Sequence, residues 1–432
     1  MQLPNEFLRR MKERLGEEFP AFLRSYENPV YKALRVNTLK IGAEEFLKNA
    51  PFPVGEQVLF PQGEDVTGFY INEEKAGGYA EHFAGLYYLQ EPSAMCVGEL
   101  TAPVKKERVL DLCAAPGGKT VQLAMQTEGE GVLISNEIDA GRAKVLSQNV
   151  ERMGIKNCAV TNAAPAQLAQ RFCDYFDLIL ADAPCSGEGM FKKEPEAVTH
   201  WSENNVSLCA TRQKEILDCA ADMVAGGGRL VYSTCTFAEE EDEGQIRAFL
   251  QAHPEFTLEE EHKIYPHQFK GEGHYCARLY KREGETRGAK PYPVRRNLAA
   301  NRAFSAFAKD FFQTPPEGEI TTLDDGRMYL LPGGMPTIGV RTVRLGVELG
   351  EFDGKIFKPA HALAMSMKKE ECARFVPLSR EEAERYLRGE TLACDCGNGW
   401  RVVGLGDYPL GLGKAVNGTL KNHLPKGLRK FS

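Results

Sequence analysis

The stretch Val109-Leu110-Asp111-Leu112-Cys113-Ala114-Ala115-Pro116-Gly117-Gly118-Lys119-Thr120 constrains the fold more than any other part of the chain. Val109 to Leu112 read as a short buried strand. A loop of small residues follows, and a helix carrying Val121, Leu123 and Ala124 begins near Lys119. Adjacent glycines let the backbone pass close to a ligand, because no Cβ stands in the way. The helix N-terminus beyond them offers unpaired N–H groups. Strand, glycine loop and helix in that order form the opening unit of a nucleotide-binding α/β sheet. The dinucleotide fingerprint G-x-G-x-x-G is absent. A tight turn of this kind connects any α/β unit, so the loop alone fixes no ligand.

The residues downstream repeat the pattern. Strands are expected at Val132–Asn136, Ala159–Thr161, Phe176–Asp182 and Arg229–Thr234, with helices over Ala140–Met153 and Arg212–Val224. Nearly continuous apolar strands separated by helices predict a parallel sheet covered on both faces. Such sheets bind ligands beyond the carboxyl ends of their strands. Those ends carry the glycine loop, Glu137, the run Asp182-Ala183-Pro184-Cys185-Ser186-Gly187, and Thr234-Cys235-Thr236. A carboxylate at the end of the second strand suits the two ribose hydroxyls of an adenosine-containing cofactor. Each cysteine alone reads as a buried structural thiol. Two of them on adjacent strand ends, beside an aspartate and a nucleotide pocket, point to chemistry. One chemistry that uses such a set is methylation of a pyrimidine carbon. A thiolate adding to C6 makes the ring enamine-like, so that C5 attacks an activated methyl group. A second thiol assists release, and an aspartate near N3 stabilises the charge developing on the ring.

At 432 residues the chain has room for two or three domains. A net charge of −7 argues against binding any polyanion indiscriminately and leaves room for a local basic face. The twelve cysteines run from Cys96 to Cys396 without a framework spacing, which suits reduced thiols in a cytoplasmic protein. Cys394 and Cys396 read as two unrelated thiols. A metal site would need two further ligands nearby, and none is in sequence range. Met1 to Leu15, with Phe7, Leu8, Met11 and Leu15 at helical spacing, is expected to be an amphipathic helix of the fold rather than a targeting signal. No apolar run approaches the ~18 residues that a membrane helix needs. The expectation is no membrane, no metal, and a monomer by default.

Before the central unit, a strand is expected at Ala33–Leu39 and a helix at Ala43–Asn49, with Pro51, Pro53 and Pro61 marking an extended region. Tyr70, Tyr79, Phe83, Tyr87 and Tyr88 either stack on single-stranded RNA beside Arg35 and Asn37 or, the commoner fate, pack this subdomain on the next. After the central unit comes a hairpin near Gly273–Lys281 and a polar linker over Arg282–Lys290. A basic helical segment with Phe304, Phe307 and Phe311 on its apolar face is expected over Pro291–Phe312. Ser379 and Glu382 form a capping signature, and strands surround Trp400–Leu405. The basic tail with Lys414, Lys421, Lys426, Arg429 and Lys430 favours RNA. Lys192 and Lys193 meet RNA phosphate or lie on a solvated loop. The acidic run Glu239–Glu243 reads as dipole stabilisation at a helix start.

Asp111–Thr120, Asp182–Gly189 and Tyr232–Thr236, three long motifs in one order, together resemble the NOL1/NOP2/Sun family of RNA cytosine-C5 methyltransferases. Leu34-Arg35-Val36-Asn37 and Gln90-Glu91-Pro92-Ser93 resemble that family's preceding segment. Pro359-Ala360-His361-Ala362-Leu363-Ala364 and Gly406-Asp407-Tyr408-Pro409-Leu410-Gly411 resemble its RsmF branch, so the likeness covers almost the whole chain. The resemblance implies an α/β, Rossmann-like S-adenosylmethionine-dependent methyltransferase core, with an N-terminal α+β subdomain and a C-terminal PUA-like β-rich RNA-binding domain. The expected bounds are 1–92, 93–283, 284–365 for a linker and intermediate region, and 366–432. It implies a substrate in small-subunit ribosomal RNA, naked or assembled in the small ribosomal subunit. S-adenosyl-L-methionine would lie on Cys113, Ala114, Ala115, Pro116, Gly117, Gly118 and Lys119, with Glu137 on the ribose and Arg142 at the pocket edge or on the surface. Asp182 would sit between cofactor and base, Cys235 would be the nucleophile, and Cys185 the releasing thiol. Where the family often has an Asp after the third strand, this chain has Thr161-Asn162-Ala163, so the Asn162 amide or a backbone group takes that contact. A nucleotide-dependent oxidoreductase would need G-x-G-x-x-G and gives no role to Cys185 and Cys235. A non-catalytic RNA-binding protein on the same fold would be expected to lose one of them.

Overall fold

The computed structural model describes residues 3–60 and 66–430; Pro61 of the expected extended region lies outside the described residues. The amino-terminal unit runs α1 (Asn5–Leu15), α2 (Phe19–Ser25), β1 (Lys32–Val36), α3 (Ala43–Asn49), β2 (Val54–Gln57), β3 (Gly68–Ile71), α4 (Ala80–Phe83) and β4 (Tyr87–Gln90). Its antiparallel strands lie in the order β2-β3-β1-β4. β1 stops at Val36, short of the expected Leu39, because Asn37 turns inward and donates its amide to the carbonyls of Gly85 (2.8 Å) and Met153 (2.9 Å). Arg35 is buried too, donating to Thr67 and Gln90. Tyr79, Phe83 and Tyr87 pack with Phe46 and Phe52 in one cluster. Tyr87 and Tyr88 are buried, as are Arg35 and Asn37 beside them, which fits the commoner fate of packing between subdomains.

The central unit runs α5 (Cys96–Thr101), β5 (Arg108–Asp111), α6 (Gly118–Gln126), β6 (Val132–Asn136), α7 (Ala140–Arg152), β7 (Cys158–Thr161), α8 (Pro165–Ala169), β8 (Phe176–Asp182), α9 (Pro195–His200), α10 (Glu203–Met223), β9 (Val224–Thr234), α11 (Glu243–Ala252), β10 (Phe256–Ile264) and β11 (His274–Lys281). The strands β9-β8-β5-β6-β7 are parallel, and their apolar residues are buried on both faces. α10 begins at Glu203 rather than Arg212, because the Ser202 hydroxyl accepts from Asn205 N–H and caps the helix there. β5 is flanked by β6 and β8, so the chain order reverses at β5 and a crevice opens beyond its carboxyl end. The hairpin β10–β11 continues the sheet beside β9.

The carboxyl-terminal part adds α12 (Leu298–Phe311), β12 (Ile320–Thr322), β13 (Arg327–Leu330), β14 (Thr342–Leu345), β15 (Val347–Phe352), β16 (Phe357–Pro359), α13 (His361–Ser366), β17 (Phe375–Leu378), α14 (Arg380–Leu387), β18 (Leu392–Ala393), β19 (Gly399–Leu405), β20 (Tyr408–Val416) and β21 (Thr419–Asn422). The basic segment becomes helical only at Leu298, after Pro291 and Pro293, where Asn297 accepts from the N–H groups of Ala299 and Ala300. Ser379 and Glu382 form the expected capping box. β14 pairs antiparallel with β7 and completes an eight-stranded central sheet. Tyr329, Leu331, Met335, Ile338 and Leu345 join the core of that sheet. The expected intermediate region is thus built into the core rather than strung beside it. The last strands form a five-stranded sheet, β17-β19-β20-β21-β18. Cys394 and Cys396 are joined as a disulfide, not left as two thiols: the turn between them brings their Cα atoms to 5.3 Å, within bridging reach. Among the described residues no helix is long and apolar enough to cross a membrane, and no group of three His, Cys, Asp or Glu is placed to hold a metal.

Candidate active site

The loop beyond β5 is fixed from below. Asp111 is fully buried and accepts from the Thr120 hydroxyl (2.6 Å), which ties the strand end to the first turn of α6. Burial pushes the Asp111 carboxyl up to about 7, against the Thr120 hydrogen bond. The Asn136 side chain donates to the carbonyls of Leu112 (3.1 Å) and Ala163 (3.0 Å) and accepts from Thr161 and Ala163. Asn136 thus ties three strand ends together, a role the sequence reading missed because it looks like an ordinary strand residue. Gly117 takes φ +116°, a left-handed conformation. A Cβ on Gly118 would meet the Tyr88 ring at 3.1 Å. Cys113, Ala114 and Ala115 line the loop's inner side; burial pushes the Cys113 thiol up and keeps it protonated. Pro116 is exposed, and its carbonyl accepts from Asn149 (2.9 Å).

Glu137 directly follows β6 and is 3% exposed, one oxygen accepting from Asp139 N–H. Arg142 spans from the loop to this carboxylate: its guanidinium donates to the Ala115 carbonyl (2.7 Å) and lies 3.5 Å from Glu137. The Asn162 amide nitrogen donates to the carbonyls of Glu137 (2.8 Å) and Ile138 (2.9 Å). Its oxygen accepts from Arg341, which β14 brings to the site (3.2 Å). Asn162 therefore shapes the Glu137 turn, and its amide N–H groups are already spent on that turn.

Across the crevice, Asp182 ends β8 with one oxygen 2.8 Å from the Lys119 ammonium and the other accepting from Ser233 (2.7 Å). His274 stands 3.8 Å away. Burial alone would raise the Asp182 carboxyl, but Lys119 and His274 outweigh it and hold the group well below the usual carboxylate range. The next loops bring Cys185 and Cys235 together, their sulfurs 3.2 Å apart, with the Cys235 N–H 3.4 Å from the Cys185 sulfur. Contact with Cys235, followed by burial, pushes the Cys185 thiol upward.

Three buried carboxylates hold these loops. Glu188 accepts from Phe237 N–H (3.0 Å) and Trp201 Nε1 (3.0 Å). Glu241 accepts from Ser186 N–H (2.9 Å) and Gln213 (2.8 Å). Asp242 accepts from Thr234 (2.6 Å) and pairs with Lys263 (2.9 Å). The acidic run Glu239–Glu243 thus divides: Glu239 and Glu240 stay at the surface, while Glu241 and Asp242 turn inward. Lys192 is not on a solvated loop; it pairs with Glu272 (3.2 Å) and is 9% exposed. Lys193 is exposed.

Comparison with known proteins gives a consistent picture along the chain. Residues 99–286 match the family described as 16S rRNA methyltransferase RsmB/F, and residues 3–92 match the N-terminal domain of 16S rRNA methyltransferase RsmF. Residues 306–367 match the first C-terminal domain of the RsmF rRNA methyltransferase, and residues 373–430 its PUA domain. A ribosomal RNA small subunit methyltransferase F from an Enterobacter species is 33% identical, over 98% of this chain and 95% of that protein. Its namesake from Vibrio cholerae is 31% identical, over 99% and 98%. Among solved structures, a methyltransferase homologue from Pyrococcus horikoshii is 27% identical, with a TM-score of 0.54 over 62% of this chain and 91% of that one.

Proposed function

The chain belongs to the RsmF family of 16S ribosomal RNA methyltransferases, and from that premise we propose that it methylates C5 of a cytosine in small-subunit ribosomal RNA, with Cys235 as nucleophile and Cys185 as releasing thiol. The observation that carries this reading is the meeting of two thiols, 3.2 Å apart, beyond strand ends that also hold Asp182 on Lys119.

The residues present fit S-adenosyl-L-methionine. Gly117, at φ +116°, makes the turn into α6, a Cβ at Gly118 would press on the Tyr88 ring at 3.1 Å, and the N-terminus of α6 offers backbone N–H groups to the cofactor. Glu137, buried after β6, would take the ribose hydroxyls, and Arg142 closes the loop onto the Ala115 carbonyl. When bound, this cofactor supplies an electrophilic methyl group. The chain's own residues do the rest. The Cys235 thiolate adds to C6 of the cytosine, and the electron pair of the C5–C6 double bond shifts toward N3. There the Lys119 ammonium, held in place by its pair with Asp182, balances the developing negative charge. C5 takes the methyl group. Cys185, kept as a neutral thiol, then gives its proton to the Cys235 sulfur as the C6–S bond breaks, and the C5 proton passes to the Cys185 sulfur as the C5–C6 double bond re-forms.

Denaturing gels test the assignment, using unmodified small-subunit ribosomal RNA and the cofactor. Cys185→Ala is expected to accumulate a covalent protein–RNA adduct and Cys235→Ala to give none. Adduct through Cys185 would exchange the two roles. Methylation by the wild type with no adduct from either variant would sink thiol addition.

A further inference from the structure

His274 has no part in the chemistry above, yet the molecule goes to some length to place it. It opens β11, is 3% exposed, and its Nε2 has no hydrogen-bond partner among the described residues. A buried nitrogen without a partner is rare in a folded protein and asks for a role. The nearest acceptor is Asp182 Oδ1, at 3.8 Å, just outside hydrogen-bond reach.

The turn before it is clamped from three sides. Glu91 accepts from Glu272 N–H (2.8 Å), and Ser93 accepts from Gly273 N–H (3.1 Å). Lys192, from the loop after Cys185, pairs with Glu272. A Cβ on Gly271 would lie 3.0 Å from Ser93, and one on Gly273, at φ +109°, would lie 2.5 Å from the Phe237 ring. At Gly273, strained on both counts, only glycine fits. The segment Gln90-Glu91-Pro92-Ser93 thus acts as a bracket that presents the imidazole to Asp182. The charged groups facing the ring are Asp182 on β8, Lys119 on α6 and Glu91 after β4. Burial, then the Lys119 charge, lowers the imidazole's basicity, while Asp182 works the other way.

We propose that His274 is a positioning residue for the methyl transfer: once the base is seated, its Nε2–H donates to Asp182 Oδ1 and, with Lys119 and Ser233, fixes the carboxylate against the cytosine ring. This rests on the reading of Asp182 as the group that faces the base. Three donors on one carboxylate leave it a single orientation, and orientation is where catalytic geometry is won or lost.

The experiment uses the full chain in a Cys185→Ala background and follows the rate of covalent adduct formation on unmodified small-subunit ribosomal RNA. His274→Asn keeps a donor; His274→Leu has nearly the same volume and none. The leucine variant is expected to slow adduct formation by about ten- to hundredfold at saturating RNA, with cofactor affinity by calorimetry and the RNA concentration giving half-maximal rate unchanged. The asparagine variant is expected to recover most of the rate. Equal losses in both variants, or parental rates in both, overturn the proposal. A Cys185→Ala parent that forms no adduct overturns the thiol mechanism itself, and this inference with it.

Discussion

Glu241 shows how a residue's surroundings decide its chemistry. It lies in a run of five acids, yet burial pushes its carboxyl up to about 7, and that of Asp242 to about 8. An acid whose folded pKa is raised binds more protons in the native than in the unfolded state. Stability therefore falls as pH rises from the ordinary carboxylate range through 7 to 8. Glu241→Gln removes that ionisation, so its melting temperature relative to wild type is expected to climb between pH 5 and pH 8 in calorimetric scans. A difference that stays flat with pH would refute the assignment. At this scale the sequence is partly legible. Cys185, Cys235, Asp182 and Glu137 announce themselves because each ends or follows a strand that reads clearly. Glu188, Glu241, Asn136 and His274 do not, because like side chains look alike until burial separates them.

Among the elements, α1 is the least obvious part of the site. Phe7 and Met11 on its inner face pack with Phe191, Trp201 and Phe237, residues that follow the two cysteine loops. The Phe7 ring meets Phe191 edge-on at 5.0 Å and Trp201 at 5.9 Å. Phe7→Ala is expected to destabilise this cluster by about 3–5 kcal/mol and to raise hydrogen exchange at Phe237 and Ala238 first. Protection there equal to wild type would show that α1 does not support the Cys235 loop. The amphipathic spacing of α1 is plain in the sequence, but what its apolar face covers is not. Strands β5, β6 and β8 are legible as uninterrupted apolar runs bounded by polar turns. β14 is not legible as a sheet member, since Thr342–Leu345 gives no local sign that its partner is β7.

Taken whole, the chain closes on itself. Leu34, Phe46 and Tyr87 of the amino-terminal unit share one core with Leu378, Tyr386, Leu387, Val403 and Leu410 near the other end. Arg380 pairs with Glu81 (2.5 Å), and Lys430 donates to the Gly78 carbonyl (2.7 Å). That Lys430 contact draws part of the basic tail into folding. Leu387→Ala is expected to cost about 2–5 kcal/mol and to loosen both ends together, read as faster hydrogen exchange in β1 as well as in α14. Exchange confined to α14 would separate the two units. The β14 strand carries this closure into biosynthesis. β7 leaves the ribosome long before its partner, which follows 184 residues later, counting from Thr161 to Leu345. At ~5–20 residues per second that interval is roughly 10–40 seconds. Throughout it the nascent catalytic sheet carries an open edge, ready to pair with any passing strand. A message broken before codon 342 would leave that edge open for good, and its product would be a substrate for chaperones and proteases before it could be an enzyme.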